Sequence, residues 1–233
     1  MKLAIMQPYF LPYLGYFQLI HSVDKFVIYD DVQFIKGGWI NRNQILVNSK
    51  ASMFTLRIKK DSFTAKINER QLVDNYKYEN GKILKSIELA YSRAPYYNEA
   101  YQLIYDILCF EELNLSLFII NSLKSVCNYI GINTEFQISS HINKNDELKG
   151  QDKVIDICHG IKANQYINAI GGMSLYSKKF FEYNDIELKF IKCKEYEYEQ
   201  FKDKFVPNLS IIDLVMFNSK EKLYELINNY ELI

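Results

Sequence analysis

Hydrophobic positions along this chain switch between two rhythms. KLAIM (2–6) is a short apolar run ended by Gln7 and Pro8, and it reads as a buried strand. LGYFQLIHS (14–22) places Leu14, Phe17, Leu19 and Ile20 on one helical face. KFVIYD (25–30), rich in β-branched and aromatic residues, reads as a second strand. Together they form a β-loop-α-β opening, the unit that crosses between parallel strands. QILVN (44–48) and MFTLRI (53–58), separated by SKAS, read as a hairpin. Residues 60–80 are polar and follow neither rhythm. Helical patterns occupy 81–94, 96–110 and 113–131, the last stopped by Gly131.

The alternation then resumes. TEFQISS (134–140), QYINA (165–169) and IELKFIKCK (186–194) read as strands. GQDKVIDICHGI (150–161), GGMSLYSKKFFEYN (171–184), LSIIDLVMFN (209–218) and KEKLYELINNY (220–230) read as helices. Ser210 with Asp213 resembles a capping box, with Asp in place of Glu or Gln. EYEYEQFKDKF (195–205) fits no single pattern. The predicted fold is α/β: a mainly parallel, Rossmann-like sheet with helices on both faces, a β-hairpin and an inserted helical lobe. We expect one domain over 1–233, with the lobe at about 59–133.

Composition narrows the function classes. At 48% hydrophobic and 24% charged residues, the 233-residue chain is of ordinary globular type. Its net charge of zero argues against a duplex nucleic-acid binder, which needs a basic footprint. Cys109, Cys127, Cys158 and Cys193 form no CxxC pair and are expected to be buried or half-buried thiols of a reducing cytoplasm. His21, His141 and His159 make no zinc spacing with them. No apolar run reaches the roughly 20 residues of a membrane span, and no cleavage pattern follows the first strand. The expected location is cytoplasmic.

In an open parallel sheet, ligands bind beyond the carboxyl ends of the strands, near the point where strand order reverses. The least ordinary stretches of the chain follow predicted strands. QPYFLPYLGYF (7–17) has two prolines, no charge and Gly15 at a helix start, where a group can approach the backbone. Gln7, Tyr9, Tyr13 and Tyr16 are its candidate ligand contacts; the plainer reading is a rigid aromatic plug over the sheet end. Asp30 and Asp31 end the second strand together, as a proton-tuning pair, as magnesium ligands, or as one solvated and one turn-capping acid. Gln33 follows, then KGGWINRN, where Lys36, Arg42, Asn41, Asn43 and Trp39 suit an anion flanked by a flat ring, or a polar hairpin entry around a core tryptophan. Gly171 and Gly172, with Tyr176, sit at a strand-to-helix turn that admits a phosphate or is merely tight. Lys149 reads as solvated.

These residues also carry a family resemblance. QPYFLPYLGYFQLI and DKFVIYDDVQFIKGGWINRNQI, then YSRAPYY, GGMSLY and FVPNLSIIDLVMFN, resemble the WbqC-like family over essentially the whole chain. The resemblance implies a setting among genes for O-antigen, capsule or other surface glycans. The opening is more distantly similar to nucleotidyltransferase-type domains such as the pantoate-activating ligases. Those use histidines of the first loop and helix to bind a nucleotide triphosphate. Here Tyr13 and Tyr16 flank Gly15 instead, and His21 lies too far along the helix.

The expected function is therefore an enzyme of surface-glycan precursor metabolism, a transferase or ligase. It would move an acyl, aminoacyl or nucleotidyl group to or from a nucleotide-linked or amino sugar. Asp30 or Asp31 would be base or metal ligand, and Lys36 and Arg42 would stabilise an anion. The alternative is a non-catalytic protein that holds an activated sugar for a partner enzyme. The sequence leaves the cofactor open, with a nucleotide and magnesium as candidates, and is compatible with a homodimer.

Overall fold

The structure, a computed structural model, describes residues 1–201 and 204–233. Its centre is a six-stranded sheet in the order β5-β2-β1-β6-β7-β8. Strands β1 (Lys2–Met6), β2 (Lys25–Ile28), β5 (Glu135–Ile138), β6 (Gln165–Ala169) and β7 (Glu187–Cys193) run parallel. The edge strand β8 (Tyr230–Leu232) is antiparallel to β7. A separate hairpin joins β3 (Arg42–Val47) to β4 (Lys50–Thr55). The predicted mainly parallel α/β architecture with a hairpin is the one the chain adopts.

Strand parity divides the core. Ala4, Phe26 and Ile28 face one side, with α1 (Leu14–His21), α4 (Leu115–Ile130), α7 (Ile211–Phe217) and α8 (Lys220–Ile227). Buried residues of α2 (Tyr76–Tyr91) and α3 (Tyr97–Leu108) join the same cluster. Leu3, Ile5 and Val27 point the other way, against Val154, Ile157 and Cys158 of α5 (Gly150–Ile161) and Phe181 of α6 (Lys178–Tyr183). Side chains on a strand alternate between faces, so Gln7 and Tyr29 continue the row on the α5 side.

Four expectations are corrected. The hairpin turns at Asn48 and Ser49, both with positive φ (49° and 60°), and not over SKAS. Two left-handed residues match the twist of a tight hairpin, so the second strand starts at Lys50. The stretch 171–184 is not one helix. A 3-10 segment runs Ile170–Leu175, and Ser177 then caps α6, its hydroxyl accepting from the Phe180 amide. The end of 220–230 is strand β8, whose three residues are too few to show alternation. Cys109 is exposed, while Cys127 and Cys158 are buried and Cys193 half-buried. Burial pushes the Cys127 and Cys158 thiols up to about 12, which leaves them inert at neutral pH.

Strand order reverses between β1 and β6. The chain steps outward from β1 through β2 to β5, and on the other side from β6 through β7. The turns after β1 and β6 therefore flank the crevice where ligands of such sheets bind.

Candidate functional site

The loop after β1 is clamped from both sides. The Phe10 amide donates to the Ile40 carbonyl (2.9 Å) and the Ile211 amide to the Pro12 carbonyl (2.9 Å). Leu11 is fully buried at φ 44°, a left-handed conformation costing about 1–2 kcal/mol for a residue with a side chain. Its carbonyl accepts from the Asn43 amide nitrogen (2.8 Å) and the Ser210 hydroxyl (2.7 Å), which hold the strained turn. Two segments distant in sequence thus fix the loop's shape.

The result is a pocket of about 330 Å3 lined by Tyr9, Pro12, Tyr13, Trp39, Asn43 and Asn208. Three rings and two amides converge there. Tyr13 and Trp39 are 40% and 46% exposed, so their faces are accessible. Arg42 fixes the tryptophan from behind. Its Nε donates to the Gly38 carbonyl (2.9 Å), a terminal nitrogen to the Gly37 carbonyl, and its guanidinium carbon lies 5.8 Å from the Trp39 ring centre. Burial pushes the phenols of Tyr9 and Tyr13 up, Tyr13 adding to the first and Cys193 to the second, so both are donors at neutral pH.

Gly15 shows how local sequence serves this pocket. A Cβ there would lie 2.6 Å from Cε2 of Tyr13, so the group approaching this backbone is the chain's own ring. Gly15→Ala is expected to swing Tyr13 out of the pocket. Ligand affinity would fall about threefold or more while the melting temperature moves by only a few degrees, as read by parallel calorimetric and thermal titrations.

The other sequence-selected residues separate from this pocket. Tyr16 is buried, and its hydroxyl donates to the Gln7 carbonyl (2.7 Å). Gln7 also accepts from the Tyr9 hydroxyl at 3.4 Å. Asn41 is buried and donates to the Leu56 carbonyl, and the exposed Gln33 donates to the Phe63 carbonyl. Lys36 and Lys149 are exposed. Gly171 lies in open space, whereas a Cβ at Gly172 would come within 2.7 Å of the Asn168 amide nitrogen. Tyr176 packs on the α5–α6 side, its ring 5.7 Å from that of Tyr166.

Asp30 and Asp31 take different partners. The buried Asp30 accepts from the Ser140 amide (2.9 Å) and hydroxyl (2.7 Å), tying the end of β2 to the end of β5. Asp31 pairs with Lys144 at 2.8 Å, and Lys153 lies at 3.7 Å. Burial acts to raise the Asp31 carboxyl. The Lys144 bond, the nearby Ser139 hydroxyl and the charges of Lys144 and Lys153 outweigh it and hold the group below its ordinary value.

Behind the pocket lies a third polar cluster. Fully buried Asp213 accepts from the hydroxyls of Tyr91 (2.8 Å) and Tyr198 (2.6 Å) and from the Gln200 amide nitrogen (2.6 Å). The expected capping box is half present. Ser210 caps α7 through the Ile212 amide, but Asp213 turns inward to these donors. Gln200 also clips both backbone groups of Val206, so the cluster anchors the segment that ends at Asn208. Residues 202–203 of the 195–205 stretch lie outside the described residues.

Sequence reasoning overlooked Asn208, Lys144 and Lys153, and gave Pro12 and Asp213 only structural parts, as a loop proline and a capping-box acid. Asn208 carried a usable signal, since Asn after Pro marks a turn and it has φ 59°. Lys144 and Lys153 carried none, because a buried lysine and a solvated one look alike in sequence. Among the described residues, no group of three or more His, Cys, Asp or Glu is arranged to hold a metal, and no helix is long and apolar enough to cross a membrane.

An open parallel sheet with a ring-lined pocket beside its reversal point defines a Rossmann-like α/β protein. The family model described as "WbqC-like protein family" matches residues 7–225, and the chain belongs to that family. An uncharacterized protein of Mycobacterium tuberculosis, Rv1507c, is 31% identical over 220 residues, covering 93% of each chain. No solved structure matches significantly.

Proposed function

We propose that the protein binds a nucleotide-linked or amino sugar used in building surface glycans and transfers an acyl, aminoacyl or nucleotidyl group to or from it. The pocket carries this reading. Tyr9, Tyr13 and Trp39 offer ring faces to the C–H face of a sugar or to a base, while Asn208 brings an amide to the same pocket. Asp31 is ionised and paired with Lys144 at 2.8 Å, so in this reading it holds that cation at the rim and is not the base.

One observation favours the second reading, a protein that holds the sugar for a partner enzyme. Arg42, Asn43 and Asp30 are all engaged with the protein's own backbone or serine, which leaves mainly rings and neutral donors facing the pocket. Titration with nucleotide-linked sugars, followed by mass spectrometry of the recovered ligand with candidate group donors, separates the two. Trp39→Ala and Tyr13→Ala are each expected to weaken binding about fivefold without unfolding the protein, because each ring contact contributes about 1 kcal/mol and both rings are solvent-accessible. Undiminished affinity in both variants would refute the pocket assignment.

A further inference from the structure

The α5 side of the same rim holds charge that the pocket does not use. Lys144 and Lys153 have only 3% and 9% of their side chains exposed, and the one buried carboxylate between them is Asp31. Lys144 is fully engaged, with Asp31 at 2.8 Å and the Ser139 carbonyl. Lys153 is not. Its nearest carboxylate oxygens are on Asp146 at 3.5 Å and Asp31 at 3.7 Å, well beyond the roughly 2.8 Å of a charge-assisted hydrogen bond. Asp146 is 73% exposed, so it is free to move away. A buried ammonium held by a single hydrogen bond of that length is weakly satisfied.

A phenol lies beside this lysine. Its Nζ lies 5.9 Å from the Tyr29 ring centre. Burial, with the charges of Asp31, Tyr176 and Asp146 adding to it, pushes the Tyr29 phenol up to about 12, so it is a donor at neutral pH. The buried hydroxyl of Tyr166, whose ring packs on Tyr176, has no hydrogen-bond partner among the described residues. The corner adjoins the pocket. The Tyr29 amide donates to the Met6 carbonyl at 2.8 Å, which sets Tyr29 beside Gln7, and Gln7 contacts the pocket residue Tyr9.

We infer that Lys153, with the phenol of Tyr29, forms an anion subsite for the diphosphate of a nucleotide-linked ligand, with Asp146 as its displaceable counter-ion. This deepens the reading above and rests on it for the identity of the ligand. An incoming phosphate replaces Asp146 at Lys153, and the Tyr29 phenol donates to its oxygens. Lys144 stays with Asp31, so the buried carboxylate keeps its cation while the anion binds. The sugar or base of the same molecule then extends past Gln7 to the rings.

Calorimetric titration of the full chain with inorganic pyrophosphate at low salt tests the subsite without any sugar. Lys153→Gln is expected to weaken binding about tenfold, the loss of one charge-assisted contact. Lys153→Gln also removes a cation near buried Asp31, so its folding is checked by circular dichroism. The exposed variant Asp146→Asn, which should fold normally, is expected to tighten pyrophosphate binding about threefold by removing the competitor. No pyrophosphate binding at millimolar concentration, or affinities unchanged in both variants, would overturn the subsite. A nucleotide-linked sugar that binds through Trp39 but ignores Lys153 and Asp146 would also overturn it and leave the pocket reading standing. Pyrophosphate binding that responds to both variants, with no sugar binding, would keep the subsite and remove the pocket reading.

Discussion

Asp213→Ala is expected to lower the melting temperature by on the order of 10 °C, the largest effect of any single substitution considered for this chain. The carboxylate is fully buried, with three side-chain donors and, among the described residues, no cation bonded to it. Truncation strands the Tyr91 and Tyr198 hydroxyls and the Gln200 amide. Each buried orphan costs about 1–3 kcal/mol, and partial relaxation leaves a total of about 4 kcal/mol. For a chain of this length that corresponds to roughly 8–16 °C. The damage should spread to the pocket, because Gln200 and Tyr198 anchor the segment that carries Asn208.

The sign of its pH dependence follows from burial, which raises the Asp213 carboxyl above its ordinary value of 3.8 despite hydrogen bonds from Tyr198, Gln200 and Tyr91. The folded protein holds this proton more tightly than the unfolded chain. The stability it contributes is fully present below 3.8 and is lost as pH rises through the raised value. The penalty of Asp213→Ala should therefore grow as pH falls from 7 toward 4. Thermal melts of both proteins across that range check it, and a penalty that shrinks toward acid pH would refute the account.

Lys144→Met is expected to cost about 3 kcal/mol at neutral pH, because removing one member of a buried ion pair leaves the other charge uncompensated. Lys153 at 3.7 Å offsets part of the loss. The pH dependence runs the opposite way. In the native protein the Asp31 carboxyl is held below 3.8, so its contribution is present above that value and is lost as pH falls through the lowered one. Without Lys144, burial dominates and the carboxyl moves up, so the variant gains stability on acidification. Its deficit should narrow between pH 7 and 4. Chemical denaturation at several pH values measures this, and a constant deficit would mean that Lys144 acts through packing alone.

The two aspartates also show where sequence reading stopped. Asp213 looked like the third position of a capping box, because Ser-x-x-Asp is a local pattern and Ser210 does cap the helix. Its real partners lie 122, 15 and 13 residues away, beyond the reach of any helix-start rule. Asp30 and Asp31 looked like a pair because they are adjacent. At the end of a strand, adjacent side chains leave in different directions, so one meets Ser140 and the other Lys144. Arg42 looked like an anion contact, but the carbonyls of its own Gly37–Gly38 turn were nearer.

Most of the pocket was legible. Gln7, Tyr9, Tyr13, Trp39 and Asn43 were singled out because they follow predicted strands, and all but Gln7 line it. Asn208 arrives from the far end of the chain, and nothing local marks where that segment docks.

By itself the sequence determined the order and type of most elements and the parallel crossover at the start. Hydrophobic period, proline, glycine and caps act over a few residues, so this information is written locally. Only the tertiary structure decided which polar groups became mutual partners and which were left for a ligand. Pairing depends on distances between segments that meet only after the chain has closed. A buried lysine such as Lys153 acquires its meaning from the carboxylates and rings that folding brings around it.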